Sequence, residues 1–506
     1  MKKIKIYFLK NYHVFFLGLI ILLTLGLRVY KLDKNPIGFF CDEATTGYNA
    51  YTILNTGKDE TGTWFPIFFK SLEYGPPIAL YSTVPFVAIF GLTEIAVRLQ
   101  AVFFGIGSII SLYLLGTILF SKKVGLWSAF SAATLPWLIH YNRVGFDYNC
   151  YVFFYILSLY ILIRQIKNNN NLLPGFLLFG FSLYTYQPAR LILPLSLFLI
   201  LFVFRKKIAQ QKKQLILGVL IFVFVALPLL TNMFEGPGIQ RFNQISIFSQ
   251  KLPLKETFLL SLDNYVSQVS PTFFLFGEKT FITRHFIKGL NPFLYISIPF
   301  IILGLILLLL NIKKTSSQII LLLLSIYPLG AALVASGPFT GRTIIGAPLF
   351  SLIIGYGISS YLELFKHKLT KTLSSLAIIL LIFLNLIQFL FFYFGRYPLL
   401  SADFWGWQYG AKDIVGYFVK NESQYDQLIM APEFNAPEIF FKFYAPNDCK
   451  KCLIGLPETN LDPQKRQLFA VTPDYLSKNP GYKLSTKKII YYPNGSIAFR
   501  IGEIVK

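Results

Sequence analysis

The sequence has little charge for its length, and acidic residues are especially few. Only 14% of the 506 residues are charged, with 24 Asp and Glu against 47 Lys and Arg. A soluble protein of this length needs more charge on its surface, so the composition excludes the ordinary soluble class. With 54% hydrophobic residues and a mean hydropathy of +0.56, the chain is predicted to be an integral membrane protein.

Cysteine is also scarce, and four cysteines are too few for a disulfide framework. Cys449 and Cys452 have the spacing of a zinc-binding pair, but a second pair is missing. A local disulfide or two free thiols is therefore favoured over a metal site. The first apolar run lacks a small-residue cleavage site after it, so we expect a retained helix and not a signal peptide.

The net charge of +23 would suit a nucleic-acid partner, but the basic residues gather in short segments between apolar runs. The segments are Lys2, Lys3, Lys5 and Lys10, then Lys122 and Lys123, Arg164 and Lys167, Arg205 to Lys207 with Lys212 and Lys213, Lys313 and Lys314, and Lys366, Lys368 and Lys371. Clusters of this kind in alternate loops mark the cytoplasmic side of a membrane protein. We therefore expect a cytoplasmic N-terminus and no nucleic-acid partner.

Eleven apolar runs approach the length of about 20 residues that a spanning helix needs. They are residues 13–32, 96–120, 124–141, 149–165, 172–186, 190–204, 214–232, 292–311, 318–336, 343–362 and 372–394. The extracytoplasmic face then receives a first loop at 33–95, a long loop at 233–291, and the tail. A further apolar run, 78–92, is short and begins at a double proline, so it is predicted to lie along the outer membrane interface.

Near residue 395 the composition becomes that of a soluble protein. Residues 1–394 are therefore predicted to form a polytopic α-helical membrane domain, and residues 395–506 a small extracytoplasmic α/β domain. Strands are expected at 427–431, 468–471, 488–492 and 497–501, and the last two are expected to form a hairpin through the Pro-Asn-Gly-Ser turn at 493–496. Helices are expected at 413–419 and 437–444.

The acidic candidates for chemistry lie in the predicted outer loops. Asp42 and Glu43 form a doublet after the first apolar run, where desolvating two carboxylates is costly unless they face water or a polar site. Glu73 closes the same loop before the double proline. Arg143 and Asp147 fill the next outer turn, for which a simple salt-bridged loop is the alternative.

The remaining basic candidates fall on the same predicted face. Arg190 lies in a very short turn and Arg342 follows a Gly/Pro turn, although both could simply reach lipid headgroups. Arg284 and His285 lie in the long loop 233–291, which exceeds a mere connection. A lone histidine in such a loop is more often structural than a ligand.

Arginines and carboxylates at one hydrophobic mouth suit a lipid-linked phosphate sugar. Arginine holds phosphate by paired, charge-assisted hydrogen bonds, and an ionised carboxylate can take a proton from an attacking hydroxyl. The expected chemistry is displacement at the anomeric carbon with a lipid phosphate leaving, its charge met by cations or a metal.

Several segments, taken in order, resemble the GT-C fold glycosyltransferases, and in particular the bacterial family 39 group related to protein O-mannosyltransferases and the aminoarabinose transferase. These segments are residues 28–33, 41–50, 76–77, 96–99, 184–190 and 337–342. The resemblance implies an enzyme that transfers a sugar from a polyprenyl-phosphate donor outside the cytoplasm. It covers most of the membrane part, whereas the tail is similar only in being an outer α/β appendage.

By position, the resemblance makes Asp42 the candidate base and Asp147 the second acidic site. It makes Arg143, Arg190 and Arg342 candidate donor-phosphate contacts. Glu73 lies where some relatives have an acidic residue that can bind metal. Relatives commonly have Lys before the double proline, where this chain has Gly75, so Lys70 or Arg284 is a candidate replacement.

Other functions stay open on the sequence alone. A transporter or flippase of lipid-linked glycans would be expected to carry charge deep in several helices and to show inverted halves. A third alternative makes the membrane part a scaffold and the tail a binding module. The sequence does not specify the sugar, and the acceptor is a protein, a lipid or a glycan. Whether a divalent metal ion bound by Asp42, Glu43, Glu73 or His285 is a cofactor is left undecided by the sequence.

Overall fold

The computed structural model describes residues 2–72, 75–234, 240–277, 282–285, 291–335 and 340–505, and the side chains of 2–10, 72, 234 and 240–242 are left aside. Helices dominate as far as residue 400. In chain order they are α1 Lys2–Val29, α2 Cys41–Thr56, α3 Pro77–Phe90, α4 Glu94–Leu119, α5 Lys122–Thr134, α6 Pro136–Tyr141, α7 Tyr148–Asn168, α8 Leu173–Ser182, α9 Ala189–Val203, α10 Arg205–Ile208, α11 Lys212–Phe234, α12 Gln240–Ile245, α13 Leu254–Ser267, α14 Pro271–Phe276, α15 Ile298–Leu310, α16 Thr315–Ile326, α17 Leu329–Ala332, α18 Gly346–Glu363, α19 Lys368–Gly395 and α20 Tyr397–Leu400.

Each of the eleven predicted spans coincides with a helix or with two consecutive helices. Within the described ranges, six helical stretches are long and apolar enough to cross a membrane: Asn11–Val29, Glu94–Leu119, Tyr148–Asn168, Arg205–Met233, Thr315–Ala332 and Lys368–Gly395. The chain is a multi-pass membrane protein, and its mostly helical fold confirms the predicted class. Some predicted spans are interrupted, as at Pro136, which begins α6 after the break that ends α5.

The bundle is centred on α4, α5, α7 and α18, and small residues allow these helices to approach closely. A Cβ atom on Gly116 of α4 would lie 3.0 Å from the Cα of Gly125 in α5. Gly355 of α18 faces Ser128 of α5 at a separation that leaves no room for a side chain. Small residues at helix contacts are a general feature of membrane bundles, because lipid offers no hydrophobic drive for association.

Two helices, α2 and α3, occupy the long connection between α1 and α4, and they pack on each other and on α4. The sequence predicts a helix at 78–92, and α3 spans Pro77–Phe90. It begins at the double proline because Pro77 stands at the first helical position, where no amide donor is needed. Helix α2 was not among the sequence predictions, which placed its residues in a loop.

After residue 410 the chain forms an α/β unit with one five-stranded sheet. Its strands are β1 Gln427–Met430, β2 Cys452–Ile454, β3 Gln467–Val471, β4 Lys483–Tyr491 and β5 Ile497–Val505, in the order β2-β1-β3-β5-β4. The first three are parallel, and β5 pairs antiparallel with β3 and β4. Helix α21 Ala411–Asn421 precedes β1, and helices α22 Glu438–Tyr444, α23 Pro457–Asn460 and α24 Pro473–Lys478 connect successive strands.

The four predicted strands and both predicted helices of this unit are present, whereas β2, α23 and α24 were not predicted. The predicted hairpin joins β4 and β5, with the Tyr492 amide donating to the Ser496 carbonyl at 2.8 Å. Gly495 supplies the positive φ of 86° that this turn needs. Cys449 and Cys452 form a disulfide, which is one of the two alternatives left open by their spacing.

Candidate functional site

The acidic doublet lies in the first turn of α2, with Phe40 as the residue before the helix. The unpaired amides at a helix N-terminus favour negative charge, so this is a stabilising place for two carboxylates. The two side chains then diverge, because Asp42 is exposed and Glu43 is fully buried. Asp42 accepts a hydrogen bond from the Cys41 thiol at 3.4 Å, and burial raises the pKa of that thiol well above its usual value.

Glu43 makes an internal ion pair with Arg98 in the first turns of α4. The Arg98 Nε lies 3.1 Å from one carboxylate oxygen, and both side chains are 0% exposed. The Gly145 amide donates to the same oxygen at 2.9 Å, and the Phe40 amide donates to the other at 3.3 Å. Glu43 thus ties together α2, α4 and the turn before α7, and protein donors occupy both of its oxygens.

Arg143 is likewise turned into the protein and is 0% exposed. Its two terminal nitrogens donate to the carbonyl oxygens of Leu27, Arg28, Lys31 and Asn35 at 2.8–3.1 Å. These carbonyls belong to the end of α1 and the turn after it, which carry partial negative charge. In this structure, Arg143 caps the end of α1.

Asp147 immediately precedes α7 and lies near Asp42. Burial, and after it the negative charge of Asp42, raise the pKa of Asp147 to about 8. The ordinary value for aspartate is near 4, so Asp147 is protonated at neutral pH. The two predicted acids are therefore brought together in different surroundings, because Asp42 is exposed and Asp147 is buried.

Tyr148, next along the chain, marks the centre of the polar cluster. It lies within range of the charges of Asp42, Arg284 and Arg342. Its ring packs edge-on against that of Tyr186, with centroids 5.0 Å apart. A Cβ atom on Gly341 would lie 2.9 Å from the Tyr148 ring, so the absence of a side chain there lets the tyrosine approach the backbone beside Arg342.

The segment carrying Arg284 and His285 is fixed by hydrogen bonds from the bundle. His140 Nε2 lies 2.7 Å from the Arg284 carbonyl, and Thr340 donates to the His285 carbonyl at 3.0 Å. Burial and the neighbouring Arg284 lower the pKa of His285 well below its usual value. His285 is therefore a neutral imidazole at physiological pH, in contact with the Tyr141 hydroxyl at 3.1 Å.

Arg190 lies beside this cluster, at the start of α9. Within the part of the chain that the structure describes, its Nε and one terminal nitrogen are buried without a hydrogen-bond partner. The backbone of Arg342 lies near the same turn across α17, because a Cβ atom on Gly330 would lie 2.6 Å from the Arg342 carbonyl oxygen and 3.5 Å from the Pro188 Cβ. The ring of Phe68 stacks on Tyr184 with centroids 6.2 Å apart, which brings the segment after α2 to the same turn.

Residues 401–410, which we call the strap, connect the membrane helices to the α/β unit and run along the site. The strap is folded on itself, since the Trp407 amide donates to the Ser401 carbonyl at 2.7 Å and the Tyr409 amide to the Ala402 carbonyl at 3.0 Å. Arg284 donates to the Trp405 carbonyl at 3.3 Å. The ring of Trp407 stacks on Phe146, one residue before Asp147.

The predicted residues thus divide into two groups. Asp42, Asp147, Arg284, His285 and Arg342 lie around Tyr148, with Arg190 beside them. Glu43 and Arg143 point into the protein, and Glu73 lies outside the described residues. Across the described ranges, no group of three or more His, Cys, Asp or Glu side chains is placed to hold a metal ion.

Several site residues were not singled out from the sequence. Arg98 could have been, because a charged residue in an apolar helix calls for a partner. Tyr148 and Tyr186 carry no signal beyond the abundance of tyrosine in this chain, which has 30. Gln408 and the tryptophans of the strap lie more than 350 residues from Cys41 along the chain, as the 367-residue separation of the Cys41–Gln408 hydrogen bond shows.

Comparison with known families finds one match, to part of the chain. Residues 74–231 match the family described as dolichyl-phosphate-mannose-protein mannosyltransferase. The match begins just before α3 and extends through most of α11. The matched stretch includes Arg143, Asp147 and Arg190, and it begins after Asp42. A comparison with curated protein sequences gives no match.

Solved structures show the fold. The oligosaccharyltransferase of Archaeoglobus fulgidus, tethered to an acceptor peptide with an NVT sequon, matches with a TM-score of 0.61 over 97% of this chain and 74% of its own, at 12% identity. ArnT from Cupriavidus metallidurans, bound to undecaprenyl phosphate, matches with a TM-score of 0.57. The match covers 97% of this chain and 98% of ArnT, at 11% identity. The archaeal oligosaccharyltransferase AglB from Archaeoglobus fulgidus, in complex with an inhibitory peptide and a dolichol-phosphate, matches with a TM-score of 0.57. The match covers 88% of this chain and 64% of AglB, at 13% identity.

Structural matches at sequence identities this low show a shared fold but not a shared activity. The chain has the fold of the GT-C membrane glycosyltransferases, with a small sheet-containing C-terminal unit. The resemblance drawn from the sequence is confirmed at this level.

Proposed function

We propose that this protein is a glycosyltransferase that moves a sugar from a polyprenyl-phosphate donor to an acceptor on the extracytoplasmic face of the membrane. The observation that carries the proposal is the convergence of Asp42, Asp147, Arg284 and Arg342 around Tyr148 at one end of a GT-C bundle. Support also comes from the match to a dolichyl-phosphate-mannose-dependent family and from the undecaprenyl phosphate that a protein of the same fold holds.

Asp42 is the proposed base. Its carboxylate takes the proton from an acceptor hydroxyl, whose oxygen forms a bond to the anomeric carbon of the sugar. The bond between that carbon and the phosphate oxygen breaks, and its electron pair leaves with the lipid phosphate. Exposure of Asp42 allows an acceptor to reach it, which the buried Glu43 cannot offer.

The charge of the leaving phosphate is met by arginines. Arg284 and Arg342 are the proposed contacts, with Arg190 completing the set, since its Nε and one terminal nitrogen have no partner within the described ranges. Guanidinium groups bind phosphate oxygens in pairs, which fixes the orientation of the donor. Arg143 already donates to four carbonyl oxygens, so its proposed contribution to the phosphate is the position of α1.

A divalent ion bound at Asp42 is part of the proposal. Glu43 offers it no oxygen, because protein donors occupy both, so its other ligands would be phosphate oxygens and water, as is common for magnesium. We expect a chelator to abolish transfer and added Mg²⁺ or Mn²⁺ to restore it. Transfer at the full rate in excess EDTA would remove the metal from the proposal.

The orientation is proposed with the N-terminus cytoplasmic and the α/β unit outside. The basic segments between helices support it through the positive-inside pattern. The Cys449–Cys452 disulfide also suits an oxidising, extracytoplasmic environment.

The test uses purified protein in detergent with polyprenyl-phosphate sugars and a panel of peptide, lipid and glycan acceptors. Asp42→Asn should lower the transfer rate by about 10²–10⁴-fold, the usual contribution of a positioned base, while thermal unfolding stays unchanged. Asp474→Asn, which changes an exposed aspartate of α24 that pairs with Lys478, is the matched control and should transfer normally. A normal rate in Asp42→Asn would refute the assignment of the base.

A further inference from the structure

Gln408, in the strap, contacts the beginning of the helix that carries Asp42. Its side-chain oxygen accepts a hydrogen bond from the Cys41 amide at 3.4 Å. The side chain is buried, with 2% of the residue exposed, and its backbone has a φ of 51°, which is uncommon for a residue with a side chain. Such a conformation is kept when the surroundings require it, and here it directs the amide towards α2.

The other end of the same amide group is unsatisfied. Gln408 Nε2 is buried and, in the part of the chain that the structure describes, has no hydrogen-bond partner. A buried donor without a partner is energetically costly, so its retention calls for a group that binds it. It stands beside the N-terminus of α2, whose free amides also attract oxygen atoms.

Two further contacts place this donor within the site. Arg284 lies over the ring of Phe40 at 4.0 Å and is bound to the strap through the Trp405 carbonyl. Trp407, adjacent to Gln408, stacks on Phe146 next to Asp147. The strap therefore touches the residues before both candidate acids and also the candidate phosphate-binding arginine.

We propose that Gln408 is a substrate-binding residue and that its Nε2 donates a hydrogen bond to a substrate oxygen held beside Asp42. The inference rests on the proposed function and deepens it, because it makes the segment leading to the α/β unit part of the active site. The oxygen belongs either to the phosphate of the lipid donor or to a sugar or acceptor hydroxyl. Both offer the same acceptor chemistry to a neutral amide donor.

Two substitutions separate binding from structural support. Gln408→Glu keeps a side-chain oxygen for the Cys41 amide and removes the donor, whereas Gln408→Met removes both without adding charge. Gln464→Glu, at an exposed position of the α/β unit, is the matched control. Thermal unfolding of all three variants should stay close to that of the wild type.

The experiment determines the KM for the donor, the KM for the acceptor and kcat for each protein. A separate experiment determines the affinity of each protein for a short-chain polyprenyl monophosphate without turnover. Both Gln408 variants should raise one KM at least about tenfold, equivalent to about 1.4 kcal/mol, with kcat changed less than the KM. Weaker binding of the polyprenyl monophosphate assigns the oxygen to the phosphate. Unchanged phosphate binding with a raised KM assigns it to a hydroxyl.

The proposal and the proposed function fail in different ways. If the wild type transfers sugar, Asp42→Asn does not, and both Gln408 variants match the wild type within twofold in every measurement, the role of Gln408 is overturned and the proposed function stands. If only Gln408→Glu is impaired, repulsion of Asp42 explains the result and the donor role is also overturned. If no protein transfers sugar, the proposed function fails. Weaker binding of the polyprenyl monophosphate by both Gln408 variants would then still support Gln408 as a phosphate contact. Equal binding by all proteins would overturn that contact, and a contact to a hydroxyl falls with the proposed function.

Discussion

Asp42 and Glu43 are neighbours in the sequence, and burial gives them different roles. Glu43 forms a fully buried pair with Arg98, which needs excellent geometry and further hydrogen bonds to offset the loss of hydration. The Gly145 and Phe40 amides supply those bonds. Asp42 lies beside Glu43 in the first turn of α2 but stays exposed, where the proposed function has it meet a substrate.

The buried pair leads to a stability prediction. Glu43→Gln leaves the Arg98 guanidinium buried without a counter-charge, so the free energy of unfolding should fall by about 3–5 kcal/mol. Thermal or denaturant unfolding in detergent measures it. Asp474→Asn, which breaks the exposed pair with Lys478, should cost less than about 1 kcal/mol. Lost transfer in Glu43→Gln at undiminished stability would instead show that Glu43 acts in the chemistry.

Asp147 leads to a prediction about pH. Its folded-state pKa of about 8 lies above the unfolded value near 4, so its contribution to stability is present below pH 4 and is lost as the pH rises towards 8. Above about pH 8 the folded protein acquires a second negative charge beside Asp42. That charge should repel the donor phosphate and raise the donor KM on the order of tenfold between pH 7 and pH 9.

Asp147→Asn provides the check on that prediction, because an amide mimics the shape of the neutral acid and cannot ionise. We expect this variant to keep a donor KM that is nearly independent of pH from 7 to 9. A wild-type donor KM that is also flat over this range would contradict the raised pKa. Arginine binding of the donor is unaffected by the same change in pH.

At the scale of elements, α2 is held between the membrane bundle and the α/β unit. Lys442 of α22 pairs with Glu60 at 2.6 Å, and the Tyr444 hydroxyl donates to Glu94 at 2.7 Å. The rings of Phe39 and Phe443 lie 4.8 Å apart. The C-terminal unit therefore supports the helix that presents Asp42.

Gly47 is the point at which this packing is tightest. A Cβ atom there would lie 2.5 Å from the Phe443 ring and 2.7 Å from a Val97 methyl group. Gly47→Ala should therefore overpack the interface, lower the free energy of unfolding by about 1–3 kcal/mol and reduce transfer by moving Asp42. Thermal unfolding and the transfer rate measure the two effects.

Gly416 provides the matched control, since it also lies in a helix but has nothing within 4 Å of its Cβ position. Gly416→Ala should raise stability by about 0.5–1 kcal/mol, because alanine loses less backbone freedom than glycine on folding. If Gly47→Ala behaves in the same way, the close packing of α2 against α22 is not what holds the site.

At the scale of the whole molecule, the path of α3 decides the topology. The helix has 14 residues, which at about 1.5 Å per residue gives a length of about 21 Å, short of the roughly 30 Å hydrocarbon core. We therefore keep the prediction that it lies along the membrane surface, where it packs on α2 and α4. If α3 crossed the membrane, the later basic segments would face outward.

Cysteine labelling tests this topology. Asn55 in α2 and Lys123 in α5 are both exposed, and they flank α3 and α4. With one crossing between them, Asn55→Cys and Lys123→Cys should react with a membrane-impermeant maleimide from opposite sides. Reaction from the same side would mean that α3 also crosses. Background labelling should be low, because Cys41 and Cys150 are buried and Cys449 is bonded to Cys452.

The sequence by itself determined the membrane class, the positions of the apolar helices and most strands of the C-terminal unit. These follow from local patterns, because lipid requires long apolar runs and a half-buried sheet requires alternation. It also identified Asp42 and Asp147 as candidates, because both lie in predicted outer loops and match acidic positions of the family that the sequence resembles. Helix α2 was missed because its polar and small residues lack an apolar period, and it folds by packing on α3 and α4.

Only the tertiary structure decided which candidates face one another. The sequence could not show that Arg143 caps α1, that Glu43 is paired with Arg98, or that Gln408 reaches Cys41. Those contacts join residues up to 367 positions apart, and they depend on how the helices and the strap pack. Packing then sets burial, which is why Asp42 is exposed while Glu43, one residue later, is part of the protein interior.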